Sequence, residues 1–398
     1  MIDLGQRLEE IESAGLRRRI RVVEGPQGPR VLLDGEPVLV LCSNNYLGLA
    51  DHPRLRRAAA DAALSLGTSS GASRLISGSM SVHAELESRL AEFKRTEAAL
   101  LFGSGYLANT GTIAALAERG EVVFSDELNH ASIIDGCRLS RAEAFVYRHG
   151  DTDHLAWGLR RAGGRGSLIV TDGIFSMDGD LAPLAELTEL ARRHGCRLMV
   201  DDAHATGCIG PDGRGSVAAA GLVDEVDVIV GTLGKALGGY GAYVCGSREL
   251  VDFLINSARP FIFSTALPPP VVAAASAAVE LLVERPGRVE RLRANTTALR
   301  DGLRDEGLDT AGSASQIIPI VIGQAADTIA LTETLLVRGV FAQGIRPPTV
   351  PEGTCRLRLT AMATHRIGEL RRAAALIGRT ATELGIGGSR KPELRRAA

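Results

Sequence analysis

From residue 98 onward, short apolar runs rich in β-branched and aromatic side chains recur between longer segments whose apolar positions fall three or four apart. That pattern predicts a mostly parallel sheet covered by helices on both faces. The runs are A-A-L-L-F (98–102), E-V-V-F-S (121–125), E-A-F-V-Y-R (143–148), S-L-I-V-T-D (167–172), R-L-M-V-D-D (197–202), V-D-V-I-V-G (226–231) and A-Y-V-C-G (242–246). They predict seven strands of one large α/β domain. Between them, Leu184, Leu187 and Leu190 stripe one face of a helix that Gly195 should stop. The segment F-S-T-A-L-P-P-P (263–270) and the long helical stretch after it mark the exit from that domain. Q-I-I-P-I-V-I-G (316–323), V-F-A-Q-G-I (340–345) and C-R-L-R-L-T (355–360) then predict strands of a smaller α+β domain. The expected organisation is an N-terminal arm over 1–50, a large domain over 51–285 and a small C-terminal domain over 286–398. The last ten residues lack an apolar period and are expected to fray.

Composition narrows the function classes. With 398 residues, 45% hydrophobic and 23% charged, the chain is globular rather than disordered. A net charge of -2 provides no broad cationic field, which argues against nucleic acid or anionic lipid as a partner. The longest small-apolar stretch, 271–279, stops at Glu280, short of the roughly 20 residues a bilayer span needs. Six scattered cysteines form no Cys-x-x-Cys pair and follow no secretory leader, so free thiols in a reducing cytosol are expected. No histidines and acids fall at a convincing metal spacing, and no metal is predicted.

One choice of residue type stands out. Of the 45 lysines and arginines, only Lys94, Lys235 and Lys391 are lysines. Lys94, in A-E-F-K-R-T-E, reads as the polar end of a helix, and Lys391 sits in the polar tail. Lys235 lies among glycines after an apolar run, in V-I-V-G-T-L-G-K-A-L-G-G-Y-G, where a solvated cation is out of place. A desolvated lysine can lose its proton and condense with a carbonyl, which a guanidinium cannot; binding a phosphate or capping a turn is the plainer role, and this count alone does not separate them.

Gly103 and Gly105, in F-G-S-G-Y-L-A, fall between a strand and a helix, where backbone N–H groups can cradle an anion. The same residues match the G-x-G-x-x-A dinucleotide fingerprint, with Asp126 and Glu127 further on, so an NAD-dependent dehydrogenase competes. G-T-S-S-G (67–71) imitates a hydrolase elbow, but a helix rather than a strand is predicted before it. Asp201, Asp202 and His204 follow the strand run R-L-M-V, at the end where open α/β sheets bind ligands; adjacent acids on an extended segment point to opposite sides. His130 follows another such strand. A phosphate cradle, a strand-end acid and an amine that can hold an aldehyde together describe pyridoxal phosphate.

The runs H-A-S-I-I-D-G, T-D-G-I-F-S-M-D-G-D-L-A-P-L, V-D-D-A-H-A-T-G, G-T-L-G-K-A-L-G-G-Y-G and R-L-R-L-T resemble the α-oxoamine synthases, pyridoxal-phosphate enzymes of the aspartate aminotransferase fold, over about residues 41–365. The resemblance implies that Lys235 carries the cofactor and later acts as base, that Asp201 partners the pyridine nitrogen, that His204 donates to the phenolic oxygen and that His130 stacks on the ring. It gives Ser176 a part in orienting the cofactor, and Thr232 with the backbone of Gly105 and Tyr106 the phosphate. Arg358 and Asn44 fall to the amino-acid substrate and Arg17 to the acyl donor. S-G-A-S-R-L-I-S-G, F-I-F-S-T-A-L-P-P and I-R-P-P-T-V-P-E-G-T-C-R-L-R-L-T resemble the branch that joins L-alanine to a pimeloyl thioester on the route to biotin. Asn44-Asn45-Tyr46 instead matches relatives that join glycine to acetyl-CoA. The family also implies a homodimer, with Ser264 and Thr265 reaching the neighbour's phosphate.

Overall fold

The computed structural model describes residues 2–386; the tail expected to fray, with Lys391, lies outside the described residues. The chain divides into two compact units. The larger comprises Asn45–Ser176 and Asp180–Glu290; the smaller takes the chain up to Asn44, Met177–Gly179 and the chain from Arg291 onward.

The larger unit is built on a seven-stranded sheet in the order Ala98–Phe102, Ala242–Gly246, Val228–Thr232, Arg197–Asp201, Gly166–Asp172, Val122–Asp126, Glu143–Tyr147. All seven predicted strands are present, with ends shifted by at most two residues. Ala242–Gly246 runs antiparallel to both neighbours, and the other neighbouring pairs are parallel. Central strands of such a sheet are covered on both faces and must be apolar throughout rather than alternating. Leu168, Ile169, Val170, Leu198, Met199, Val200, Val228, Ile229 and Val230 are accordingly all buried. Consecutive carboxyl ends of the parallel strands, at Phe102, Thr232, Asp201, Asp172 and Asp126, therefore lie along one edge of the sheet.

Close approach between strands demands glycine at position 231. A Cβ there would lie 2.2 Å from Cζ of Tyr243, a buried ring on the adjacent strand. Gly231→Ala is therefore expected to cost about 1–3 kcal/mol, as overpacking does. Thermal denaturation checks this, and an unchanged midpoint contradicts it.

The smaller unit contains the predicted strands Ile317–Gly323 and Cys355–Thr360, paired antiparallel. The run 340–345 is two strands rather than one. Val340–Phe341 pairs in parallel with Glu36–Val40, whereas Gln343–Ile345 pairs with Cys355–Thr360. The first residues supply the helix Leu4–Ser13 and three strands that complete the sheet holding Val340–Phe341. The helical stretch past residue 268 is likewise two helices, Pro269–Glu284 and Gly287–Asp305. The expected false elbow at 67–71 follows the helix Pro53–Leu66, as its sequence predicted.

Candidate active site

Lys235 follows the strand Val228–Thr232 by three residues, and His204 follows Arg197–Asp201 by three. Their side chains meet: Lys235 Nζ lies 2.8 Å from His204 Nε2. The other ring nitrogen, Nδ1, lies 2.7 Å from the hydroxyl of fully buried Tyr46. Amine, imidazole and phenol thus form one hydrogen-bonded line.

A second line starts at Asp201. Its Oδ2 accepts from Asn109 Nδ2 at 2.6 Å and its Oδ1 from the Ala203 N–H at 2.8 Å. The same Asn109 nitrogen donates to Ser132 Oγ at 2.8 Å, and that hydroxyl lies 2.8 Å from His130 Nδ1. Asp172, paired in register with Asp201, accepts the His130 backbone N–H at 2.8 Å and so anchors the start of the helix Ala131–Ser140. Burial, followed by repulsion from Asp201, raises the Asp172 carboxyl well above the usual carboxylate range. Burial holds the His130 imidazole below its ordinary value, with Asp201 opposing and Lys235 reinforcing, so the ring is neutral at pH 7. The two lines start from the ends of the adjacent strands Arg197–Asp201 and Val228–Thr232 and so lie at one edge of the sheet.

The adjacent acids do point apart. Asp202 turns away from Asn109 to accept from Lys94 Nζ at 3.0 Å and from the Ser216 N–H at 3.0 Å. Lys94 is not a solvated helix end: it ends the helix Ser81–Lys94, but its side chain is 1% exposed. Burial pulls its basicity down and the Asp202 carboxylate more than restores it, so the ammonium is charged. Polar neighbours in its sequence concealed a partner 108 residues away.

The predicted phosphate cradle is the amino end of the helix Gly105–Leu116. Ser104 caps it, its Oγ accepting the Leu107 N–H and its carbonyl the Ala108 N–H, with the Gly105 and Tyr106 N–H groups ahead of them at the helix mouth. The Tyr106 ring is turned outward, its hydroxyl donating to Asp135. Thr232 Oγ1 accepts the Gly234 N–H and donates to the Gly241 carbonyl, both at 3.1 Å. Ser176 lies beyond the strand Gly166–Asp172, after the bridge residue Ile174. Thr265 bridges to Ser73, with Ser264 beside it.

In the smaller unit, Arg358 is buried on Cys355–Thr360, and both terminal nitrogens of its guanidinium lie 3.3 Å from Asn44 Oδ1. Arg17 is half-exposed and paired with Glu12 at 2.5 Å; it lines a cavity of about 890 Å³ with Arg18, Arg19, Arg21 and Arg346. Tyr46, Asn109 and Ser132 are site residues that the sequence reading missed. Tyr46 and Ser132 carried a signal, as parts of the quoted Asn-Asn-Tyr and H-A-S-I-I-D-G runs; Asn109 lay just past the quoted glycine run.

Near the same edge, His149 stands between two carboxylates, Nδ1 2.9 Å from Asp126 and Nε2 2.8 Å from Asp180. Burial lowers its pKa, but the hydrogen bonds its ring donates to Asp126 and Asp180 override that and raise it to about 10. A raised folded-state pKa stabilises the fold fully below the unfolded value near 6.5, and the contribution fades as pH climbs toward 10. The melting-temperature gap between the native chain and His149→Gln should therefore be widest at pH 6 and shrink steadily to pH 10. A gap independent of pH contradicts this.

All six cysteines are free, and burial raises the thiols of Cys137 and Cys196 to about 11 and of Cys42 and Cys245 to about 12, unsuited to thiolate chemistry. Among the described residues, no group of three or more His, Cys, Asp or Glu is placed to hold a metal ion, and no helix is long and apolar enough to cross a membrane.

The residues fit pyridoxal phosphate. Asp201 is 4% exposed, and its hydrogen-bond donors are two neutral amides. A buried carboxylate is costly unless a cation matches it, and a protonated ring nitrogen supplies one. A model of the family described as aminotransferase class I and II matches residues 36–377. The 8-amino-7-oxononanoate synthase of Geobacter metallireducens is 56% identical over 386 residues, 96% of this chain and 98% of that protein. A serine palmitoyltransferase from S. paucimobilis, solved with bound PLP, is 32% identical with a TM-score of 0.91, covering 96% of this chain and 97% of its own. The 8-amino-7-oxononanoate synthase of Francisella tularensis is 27% identical with a TM-score of 0.76, covering 87% of this chain and 98% of its own. The chain belongs to the class I and II aminotransferase family of pyridoxal-phosphate enzymes, and within it to the α-oxoamine synthases.

Proposed function

We propose that this enzyme condenses L-alanine with a pimeloyl thioester, carried by coenzyme A or a carrier protein, to give 8-amino-7-oxononanoate, CO2 and the free thiol, in biotin biosynthesis. The observation that carries this reading is full-length identity of 56% to a synthase of that name. Pyridoxal phosphate supplies an aldehyde for covalent attachment and an electron-poor ring that stabilises negative charge on the alanine α-carbon.

Lys235 would be the attachment point for the aldehyde, and its amine would take the proton from the alanine α-carbon, which it can do only while neutral. The hydrogen bond to His204 holds that amine in place, and Tyr46 fixes the imidazole from the other side. Asp201, steadied by Asn109 and the Ala203 N–H, keeps the ring nitrogen protonated. His130 offers a neutral flat ring for stacking, and Ser132 and Asp172 fix its orientation. Thr232 and the helix mouth at Gly105 and Tyr106 hold the phosphate, whose charge the helix amino end favours. Ser176 orients the cofactor. Arg358, whose fork suits a carboxylate, binds the amino acid beside Asn44, and Arg17 meets the acyl donor. The enzyme acts in the cytoplasm as a homodimer in which Ser264 and Thr265 reach the neighbour's phosphate.

Pairing alanine, glycine and serine with pimeloyl-CoA and acetyl-CoA, while following thiol release, tests the assignment. Alanine with pimeloyl-CoA should exceed every other pair in kcat/KM by at least about tenfold, the lower range expected when a pocket discriminates by small apolar differences. Glycine with acetyl-CoA as the best pair overturns it.

A further inference from the structure

Lys94 has no part in the chemistry above, yet its surroundings are as closely built as those of Lys235. The ammonium donates to three acceptors, Asp202 Oδ2 at 3.0 Å, Thr206 Oγ1 at 2.9 Å and the Arg214 carbonyl at 2.5 Å. Three donors meet three acceptors, which satisfies a buried lysine completely. The other Asp202 oxygen takes the N–H and hydroxyl of Ser216. Thr206 continues to Tyr243 at 3.0 Å.

Space around the pair is reserved by two glycines. A Cβ on Gly215, whose φ is +109°, would lie 1.9 Å from Asp202 Oδ2 and 2.9 Å from Lys94 Nζ. A Cβ on Gly173 would lie 2.2 Å from Ser216 Oγ and 2.8 Å from Asp202 Oδ1. A guanidinium, larger and with five donors in a plane, fits neither the space nor the acceptor count. That accounts for a lysine here in a chain that otherwise uses arginine almost throughout.

His204 stands midway between Asp202 and Thr206. The turn carrying it is closed by the Ala205 and Thr206 N–H groups on the Asp202 carbonyl, at 3.0 and 2.8 Å. The ammonium ties both ends of that turn from behind, while the His204 ring faces Lys235 and Tyr46 in front. We propose that Lys94 is a positioning residue for the reaction: by clamping Asp202, Thr206 and the Arg214 carbonyl it fixes the turn that holds His204 against the reactive amine of Lys235. This rests on the reading of Lys235 as the reactive lysine, and the test separates the two.

Removing one member of a buried ion pair leaves the other uncompensated, so Lys94→Met alone is expected to unfold or aggregate. Lys94→Met/Asp202→Asn removes both charges. Thr206→Val keeps the pair and releases only the far end of the turn. Each is prepared as the cofactor-free full chain, and the pH dependence of Lys235 acetylation by acetic anhydride is followed by peptide mass. With so few lysines the Lys235 peptide is read without ambiguity. With the His204 ring protonated on Nδ1, the tautomer in which it donates to Tyr46, Nε2 accepts from the ammonium and favours the charged lysine, so loosening His204 should lower the labelling midpoint: by at least half a pH unit in the double variant, and by a smaller shift in Thr206→Val. On cofactor saturation, kcat should fall tenfold or more in the double variant and about threefold in Thr206→Val. A labelling midpoint and kcat equal to wild type in either folded variant overturn the proposal, and Lys94→Arg restoring full activity overturns the acceptor-count argument. If Lys235 itself proves not to carry the cofactor, kcat changes lose their meaning but the labelling shift still stands or falls alone.

Discussion

Lys235→Ala should bind the cofactor only non-covalently and lose about 10²–10⁴-fold in turnover, the range over which a positioned base contributes, with further loss from the missing attachment. No other amine among the described residues can take over. Lys94, the other described lysine, is 1% exposed with its ammonium committed to Asp202, Thr206 and the Arg214 carbonyl. Steady-state kinetics and the visible spectrum of the loaded variant check this. Turnover within tenfold of wild type contradicts the assignment of attachment and base to one nitrogen.

The second large effect is expected at Asp201. Asp201→Asn keeps the size of the side chain and removes its charge, leaving one amide facing another across the 2.6 Å now spanned by Asn109 Nδ2 and Asp201 Oδ2. Without a carboxylate the ring nitrogen loses its partner, and the charge developing on the substrate loses the group that makes the ring electron-poor. A fall of about 10²–10³-fold in kcat is expected, the size seen when one preorganised electrostatic partner is removed, with a much smaller change in KM for alanine. Equal losses in kcat and affinity, or none in kcat, contradict a role confined to the reacting state. Asn109→Ala should reproduce a fraction of the effect, because it withdraws the donor that orients the carboxylate.

How much of this the sequence disclosed depends on whether the relevant physics was local. Strands buried on both faces, such as Leu168–Ile169–Val170, are visible as continuous apolar runs because burial alone dictates them. Lys235 stood out for a local reason too, a cation set among glycines after such a run. The run 340–345 was misjudged as one strand because nothing within it says that its two halves pair with different sheets. Lys94 was misjudged because its helix turn is polar in sequence, while the carboxylate that lets it be buried lies in another strand's exit loop. Asn109 and Ser132 are ordinary helix residues until the sheet edge brings them between Asp201 and His130. Their role is a property of strand order, not of any neighbourhood in the chain. The resemblance to a known family supplied Arg358 for the substrate carboxylate and Asn44 separately for the bound substrate, and the structure places the Asn44 oxygen 3.3 Å from both terminal guanidinium nitrogens.

Borohydride reduction of the cofactor-saturated protein, followed by proteolysis and peptide mass analysis, tests the central claim most directly. The account predicts one stoichiometric pyridoxyl adduct, on the peptide containing Lys235. An adduct on Lys94 or Lys391 instead, or none in a saturated sample, contradicts it.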